Sequence, residues 1–142
     1  LAHLQDLLGV AVEELARVDG GAGVILSAHV SLGSWPIFAF GTEEQKQKYL
    51  RPLVDGSKIG CFGLTEPGAG TDAAGVKTTA DRTEDGKYYV LNGTKMFTTN
   101  SGFADTFIVI NLVIKYQLNY IDKQRTIFYV EKPIGDFFIP ID

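Results

Sequence analysis

Cys61-Phe62-Gly63-Leu64-Thr65-Glu66-Pro67-Gly68-Ala69-Gly70-Thr71-Asp72 is the stretch on which the reading of this chain turns. It begins as a short apolar strand, bends at Pro67 and opens into a loop carrying Gly68 and Gly70. Without a Cβ, such glycines let backbone amides come close to a flat or anionic ligand. Thr65, Thr71 and Asp72 add polar groups at the strand end and in the loop. Further along, Lys95-Met96-Phe97-Thr98-Thr99-Asn100 reads as a second polar strand. An aromatic ring and paired hydroxyls at the ends of two strands suit a planar cofactor.

Two plainer readings compete. Gly68-Ala69-Gly70-Thr71-Asp72-Ala73 fits the Gly-x-Gly-x-x-Ala form of the dinucleotide fingerprint, which needs a helix directly after the glycines. The next residues, Gly75-Val76-Lys77-Thr78-Thr79-Ala80, are β-branched and alternating, so that context is missing. A structural Pro-Gly turn is the other reading, and the threonines flanking the turn argue for a ligand instead.

The 142 residues, 45% hydrophobic and 21% charged, are enough for one modest domain or parts of two. A net charge of −4 argues against broad nucleic-acid binding. The single cysteine excludes an internal disulfide framework, and no zinc-type spacing occurs. No apolar run is expected to reach the roughly 20 residues that span a bilayer. The chain opens inside a periodic pattern with no signal-type segment ahead of it, as a piece of a longer protein would.

Leu1, Leu4, Leu8, Ala11, Leu15 and Val18 lie three or four apart, one stripe of an amphipathic helix over residues 1–18. Asp19-Gly20-Gly21 is expected to stop it. Residues 22–32, small or apolar on nearly every side, predict a buried helix in which His29 is a satisfied core group. Trp35-Pro36 is expected to break that helix and leave Ile37, Phe38 and Phe40 in an apolar turn. Thr42 and Gln45 form a capping box, starting a helix closed by Pro52 and Asp55-Gly56.

Past Lys58 the periodicity becomes strand-like: residues 59–65, then Val76, Thr78 and Ala80 alternating with polar neighbours. Asp85-Gly86 and Asn92-Gly93 signal turns. Further strands are expected at 95–99, 106–114 and 126–131, with a polar connection at 115–125 and another strand starting near Phe137. The plan is α+β: a helical N-terminal segment, 1–58, then an antiparallel, barrel-like β domain, 59–142. A sheet stopped at that point leaves an open edge, so a further segment or chain is expected to complete it.

With these residues laid out, the chain resembles the flavin-dependent acyl-CoA dehydrogenases. Residues 64–72 are similar to the family's Leu-Thr-Glu-Pro-x-Ala-Gly-Ser/Thr-Asp, and residues 92–100 to Asn-Gly-x-Lys-x-Trp/Phe-Ile-Thr-Asn. Phe128-Tyr129-Val130-Glu131-Lys132 resembles Phe-Ile-Val-Glu-Lys, and Glu44-Gln45-Lys46 the helix leading into the middle domain. Ser31-Leu32-Gly33-Ser34-Trp35-Pro36-Ile37 looks most like short-chain, butyryl-type bacterial enzymes.

The resemblance implies a helical N-terminal domain, a β-barrel-like middle domain and bound FAD. Phe62, Leu64 and Thr65 would hold the flavin's pyrimidine edge, Phe97 would cover the ring, and Thr98 and Thr99 would contact its edge. Thr71 would touch both cofactor and acyl-CoA. Phe97 stands where many relatives carry Trp, and Thr98 where Ile is usual. The implied reaction is α,β-dehydrogenation of an acyl-CoA, with electrons passing to an electron-transferring flavoprotein. The family's base, a glutamate of a C-terminal helical domain, has no counterpart among these residues, and Glu66 looks structural. Neither a metal, a nucleic acid nor a membrane span is expected. A homotetramer is implied for the complete enzyme, placed in the cytoplasm of a bacterium or the mitochondrial matrix of a eukaryote. A non-catalytic FAD- or CoA-binding fragment and an acyl-CoA oxidase-type flavoprotein remain alternatives.

Overall fold

A computed structural model describes residues 2–114, 124–131 and 138–140, with side chains from 6 to 111. The first helix, α1 (Ala2–Val18), and the second, α2 (Gly20–Ser27), are separated by Asp19 alone. Asp19 ends one helix and caps the next, its carboxylate accepting the Gly21 amide at 2.8 Å and the Ala22 amide at 3.3 Å. The two helices meet where Gly23 lies on Ala16 and the Val12 carbonyl. Of the expected stripe, the side chains of Leu1 and Leu4 lie outside the described ones and Leu8 is half-buried, but Ala11, Leu15 and Val18 are exposed, and Val12 is half-buried where the second helix packs.

Trp35-Pro36 does not break the second helix. It continues through a π-helical stretch, Ala28–Ser34, into α3 (Trp35–Phe40). The Trp35 amide bonds back five residues to the Val30 carbonyl, and this widened turn makes room for the Pro36 ring, which would clash in an ordinary helix interior. The same device recurs at Pro52. After the capping box of Thr42 and Gln45, α4 (Glu43–Gln45) widens into π-helical Lys46–Leu50 and then α5 (Arg51–Val54), with the Arg51 amide bonded to the Lys46 carbonyl. Pro52 thus sits inside the helix, and Asp55-Gly56 closes it.

The expectation about apolar runs is corrected as a result. Gly20–Phe40 is a continuous 21-residue helical span of mean hydropathy 1.4, enough by length and composition to cross a bilayer. Only one side of it is packed: Gly23, Ala28, Gly33, Ser34, Pro36 and Ile37 are buried, while Val24, Ile25, Leu32, Trp35 and Phe38 are exposed, so the helix expected to be buried on nearly every side is covered only in part. Gly33 backs onto Gly60 so closely that a Cβ on Gly33 would lie 2.9 Å from the Gly60 carbonyl carbon. His29 is the satisfied core group expected: Nδ1 accepts the Gly60 amide at 3.1 Å, so Nε2 carries the proton donated to the Leu53 carbonyl at 3.0 Å. One ring thus ties two helices to the sheet.

Strands β1 (Gly60–Gly63), β2 (Thr79–Arg82), β3 (Tyr88–Asn92), β4 (Thr106–Ile114), β5 (Gln124–Glu131) and β6 (Phe138–Pro140) form one mixed sheet. The expected antiparallel barrel is corrected on two counts. Both β1 and β2 run parallel to β4, and no barrel closes among the described residues. Since β5 pairs along β4 from Thr106 to Val113, β1 and β2 share β4's other edge end to end. The chain leaves that edge at Gly63 and rejoins it at Thr79, so the intervening loop is thrown clear of the sheet. On the helical side Ile37, Tyr49, Leu53 and Ile108 form the core, with Leu50 and Phe62 against it. The expected connection at 115–125 lies mostly outside the described residues.

Candidate functional site

The two motif segments leave the sheet and meet in front of it. After the glycines there is only a short 3-10 turn, Ala73–Gly75, capped by Asp72, so the dinucleotide-helix reading fails structurally. Lys95 to Thr98 is not a strand either. It crosses the first loop as irregular backbone, the Met96 amide bonding the Thr65 carbonyl at 2.8 Å. Residues 76–78 are likewise not yet strand. They keep the expected burial alternation, but the amides of Lys77 and Thr78 are held by the Glu66 carboxylate at 2.7 and 3.0 Å instead of by a neighbouring strand.

Glu66 is the node of the site. Its carboxylate also accepts the Thr78 hydroxyl and, at 2.7 Å, the Lys95 ammonium, which donates to the Leu64 carbonyl at 3.0 Å as well. Both side chains are largely buried, Glu66 7% and Lys95 13% exposed. Burial pushes the Glu66 carboxyl up, but the donors from Lys95, Thr78 and the two amides outweigh it and hold it at about 2. Gly93, with φ +156°, packs where a Cβ would lie 2.8 Å from the Thr78 Cα.

Beyond this brace the backbone is strained. Phe97 and Asn100 have φ of +54° and +72°, left-handed values that non-glycine residues seldom adopt. Asn100 makes the turn back to the sheet, its side-chain amide donating to the Gly60 carbonyl at 3.3 Å. Phe97 is 85% exposed, with Met96 and Phe103 exposed nearby in sequence. Among the described residues nothing packs over Phe97 as a core would.

Phe97 and Thr98 line a cleft of about 440 Å³ with Thr94, Ser101, Leu91 and Phe107 among its other walls. The remaining expected site residues lie outside that lining. Phe62 packs its ring on the core cluster. Leu64 and Thr65 are half-buried at the crossing of the two loops, Thr71 is exposed on the first loop, and Thr99 is half-buried in the turn after Thr98. Sequence reasoning missed Lys95 and Ser101. An opposite-charge pair split between the two motifs, Glu66 and Lys95, was the available signal for the first.

Residues 61–137 match the acyl-CoA dehydrogenase middle domain, and residues 7–57 match the acyl-CoA dehydrogenase N-terminal domain. The chain belongs to the acyl-CoA dehydrogenase family. The short-chain specific acyl-CoA dehydrogenase of Megasphaera elsdenii is 55% identical over 111 residues, 78% of this chain and 29% of that protein. Butyryl-CoA dehydrogenase from the same organism superposes with a TM-score of 0.76 at 51% identity, over 85% of this chain and 30% of that one. A glutaryl-CoA dehydrogenase from Mycobacterium smegmatis, solved in complex with FADH2, gives 0.76 at 39% identity, covering 87% and 29%. The chain thus spans about a third or less of these relatives. Its residues fit a flavin in kind: an exposed ring at Phe97 beside hydroxyls at Thr94, Thr98 and Ser101.

Proposed function

We propose that this chain is the N-terminal and middle-domain portion of an acyl-CoA dehydrogenase acting on short-chain acyl-CoA thioesters, and that its two braced loops form its share of the FAD site. The observation that carries the reading is Phe97, an aromatic ring held out to solvent on a left-handed backbone. Such a conformation costs about 1–3 kcal/mol and persists where function uses it. Identity of 55% to a short-chain enzyme supports the substrate class.

In this reading Phe97 covers one face of the ring system and excludes water from it. Thr98 and Thr99 offer donors to its edge, and Thr65, with the main chain of Phe62 and Leu64, serves the pyrimidine edge. Thr71, exposed on its loop, contacts acyl-CoA and cofactor together. FAD, when bound, supplies the hydride acceptor for α,β-dehydrogenation. Donors placed at oxygens that gain charge stabilise the product state electrostatically. Glu66 is not the base that removes the α-proton. It is buried, its oxygens are occupied by four donors, and a carboxyl held at about 2 is too weak a base. The base would come from a segment outside these residues, and the electrons would pass to an electron-transferring flavoprotein.

Titrating FAD into the 142-residue chain should alter the flavin's emission and visible spectrum. Butyryl-CoA with an electron-accepting dye should give no turnover. A flavin spectrum indifferent to the protein would remove the FAD reading. Turnover near the enzyme median of about 10 per second would place a base within this chain.

A further inference from the structure

Of the groups outside the cofactor contacts, the buried pair at the loop crossing carries the most. We propose that Lys95 is a positioning residue of this site: its bridge to Glu66 holds residues 96–98 so that Phe97 is presented before any ligand arrives. The proposal rests on the FAD reading for its use but not for its geometry.

Three observations combine. The Lys95 ammonium reaches two acceptors on the other motif, Glu66 Oε1 at 2.7 Å and the Leu64 carbonyl at 3.0 Å. The next residue is fixed to the same segment, Met96 N–H to the Thr65 carbonyl at 2.8 Å. The residue after that is Phe97, with φ +54° and 85% of its surface exposed. An exposed ring gains little from packing, so its unfavourable backbone must be imposed from elsewhere. The bonds made by Lys95 and Met96 restrain the chain immediately before it. On the other side the Ser101 amide bonds the Thr98 carbonyl at 3.1 Å, closing the turn. Gly63 keeps the path of the lysine open, since a Cβ there would press on Lys95 Cγ at 3.3 Å. A loop held in its binding geometry spares the ligand the cost of ordering it.

The test needs a reporter at position 97 and no ligand. In the 142-residue chain, Trp35→Phe and Phe97→Trp place the sole tryptophan on the loop, and its anisotropy decay and acrylamide quenching report local freedom. Lys95→Met should loosen residue 97, with faster local motion and greater quenching, while far-ultraviolet dichroism stays native. Glu66→Gln/Lys95→Met, which removes the uncompensated charge and keeps one acceptor oxygen for the Thr78 amide and hydroxyl while losing the one that holds the Lys77 amide, carries the same expectation if the single variant does not fold. His29→Leu is the control: a lower melting temperature with residue 97 unchanged. Residue 97 staying as rigid in the folded Lys95 variants as in the parent would overturn the proposal, and so would equal loosening in His29→Leu. FAD titration gives a second readout. If the loop keeps its competent geometry a tenth of the time, binding weakens about tenfold. An unsubstituted chain that ignores FAD would sink the functional reading, while the ligand-free arms still decide the role of Lys95.

Discussion

The seam between helices and sheet and the crossing of the two loops are both held by specific contacts, yet they are built from opposite chemistry. At the seam, Gly33 and Gly60 touch backbone to backbone, Ile37, Leu53 and Ile108 are fully or almost fully buried, and His29 satisfies the Gly60 amide and the Leu53 carbonyl. At the crossing, an ion pair is buried under the loops while Phe97 and Met96 face out. Buried ion pairs are seldom kept for stability alone, since well-packed apolar groups often do as well. In the proposed FAD reading, a costly brace beneath an exposed, strained aromatic makes the crossing the working region and the seam its support.

The largest expected effect breaks the crossing. Lys95→Met leaves Glu66 buried and short of its strongest partner, which typically costs about 3–5 kcal/mol, read by urea unfolding at neutral pH. A loss below about 1 kcal/mol would reduce the pair to an ordinary surface contact.

Acid should produce the same loss gradually. The Glu66 carboxyl is held at about 2 in the fold against an ordinary 4.5. Its folded value is the lower one, so its contribution is fully present above about pH 4.5 and fades as pH falls toward 2. Melting temperature should drop through that window, and Glu66→Gln, less stable at neutral pH, should show a shallower drop. Equal slopes would mean other carboxylates govern acid unfolding.

At the seam, His29→Leu strands the Gly60 amide and the Leu53 carbonyl, a cost of about 1–3 kcal/mol. Flavin binding should survive it in the folded fraction. Loss of binding there with stability intact would erase the distinction between the two regions.

Much of the seam was legible in the sequence. The capping box at Thr42 and Gln45 and the core role of His29 follow from local chemistry. Trp35-Pro36 and Pro52 misled because a π turn before each proline removes the clash that makes proline a helix breaker. That accommodation depends on bonding five residues back, which no composition signals. The parallel pairing of β1 and β2 with β4 is non-local and escaped the alternation pattern. In the site, the residue types were readable from the two motifs. The strand expected at residues 95–99 failed because the Met96 amide answers to Thr65 and the lysine to Glu66, partners about 30 positions away.

The smallest effect on stability is the most informative one for function. Phe97→Gly removes an exposed ring and relieves a left-handed backbone, so the fold should be unchanged or gain up to about 1 kcal/mol. Its flavin affinity, measured by fluorescence titration beside the unsubstituted chain, tests the central claim. Stacking on an aromatic face contributes about 0.5–1.5 kcal/mol, so FAD should bind roughly 2- to 10-fold more weakly to an equally stable protein. Equal affinity in both chains would contradict the account, for Phe97 would then be strained and exposed without covering the cofactor.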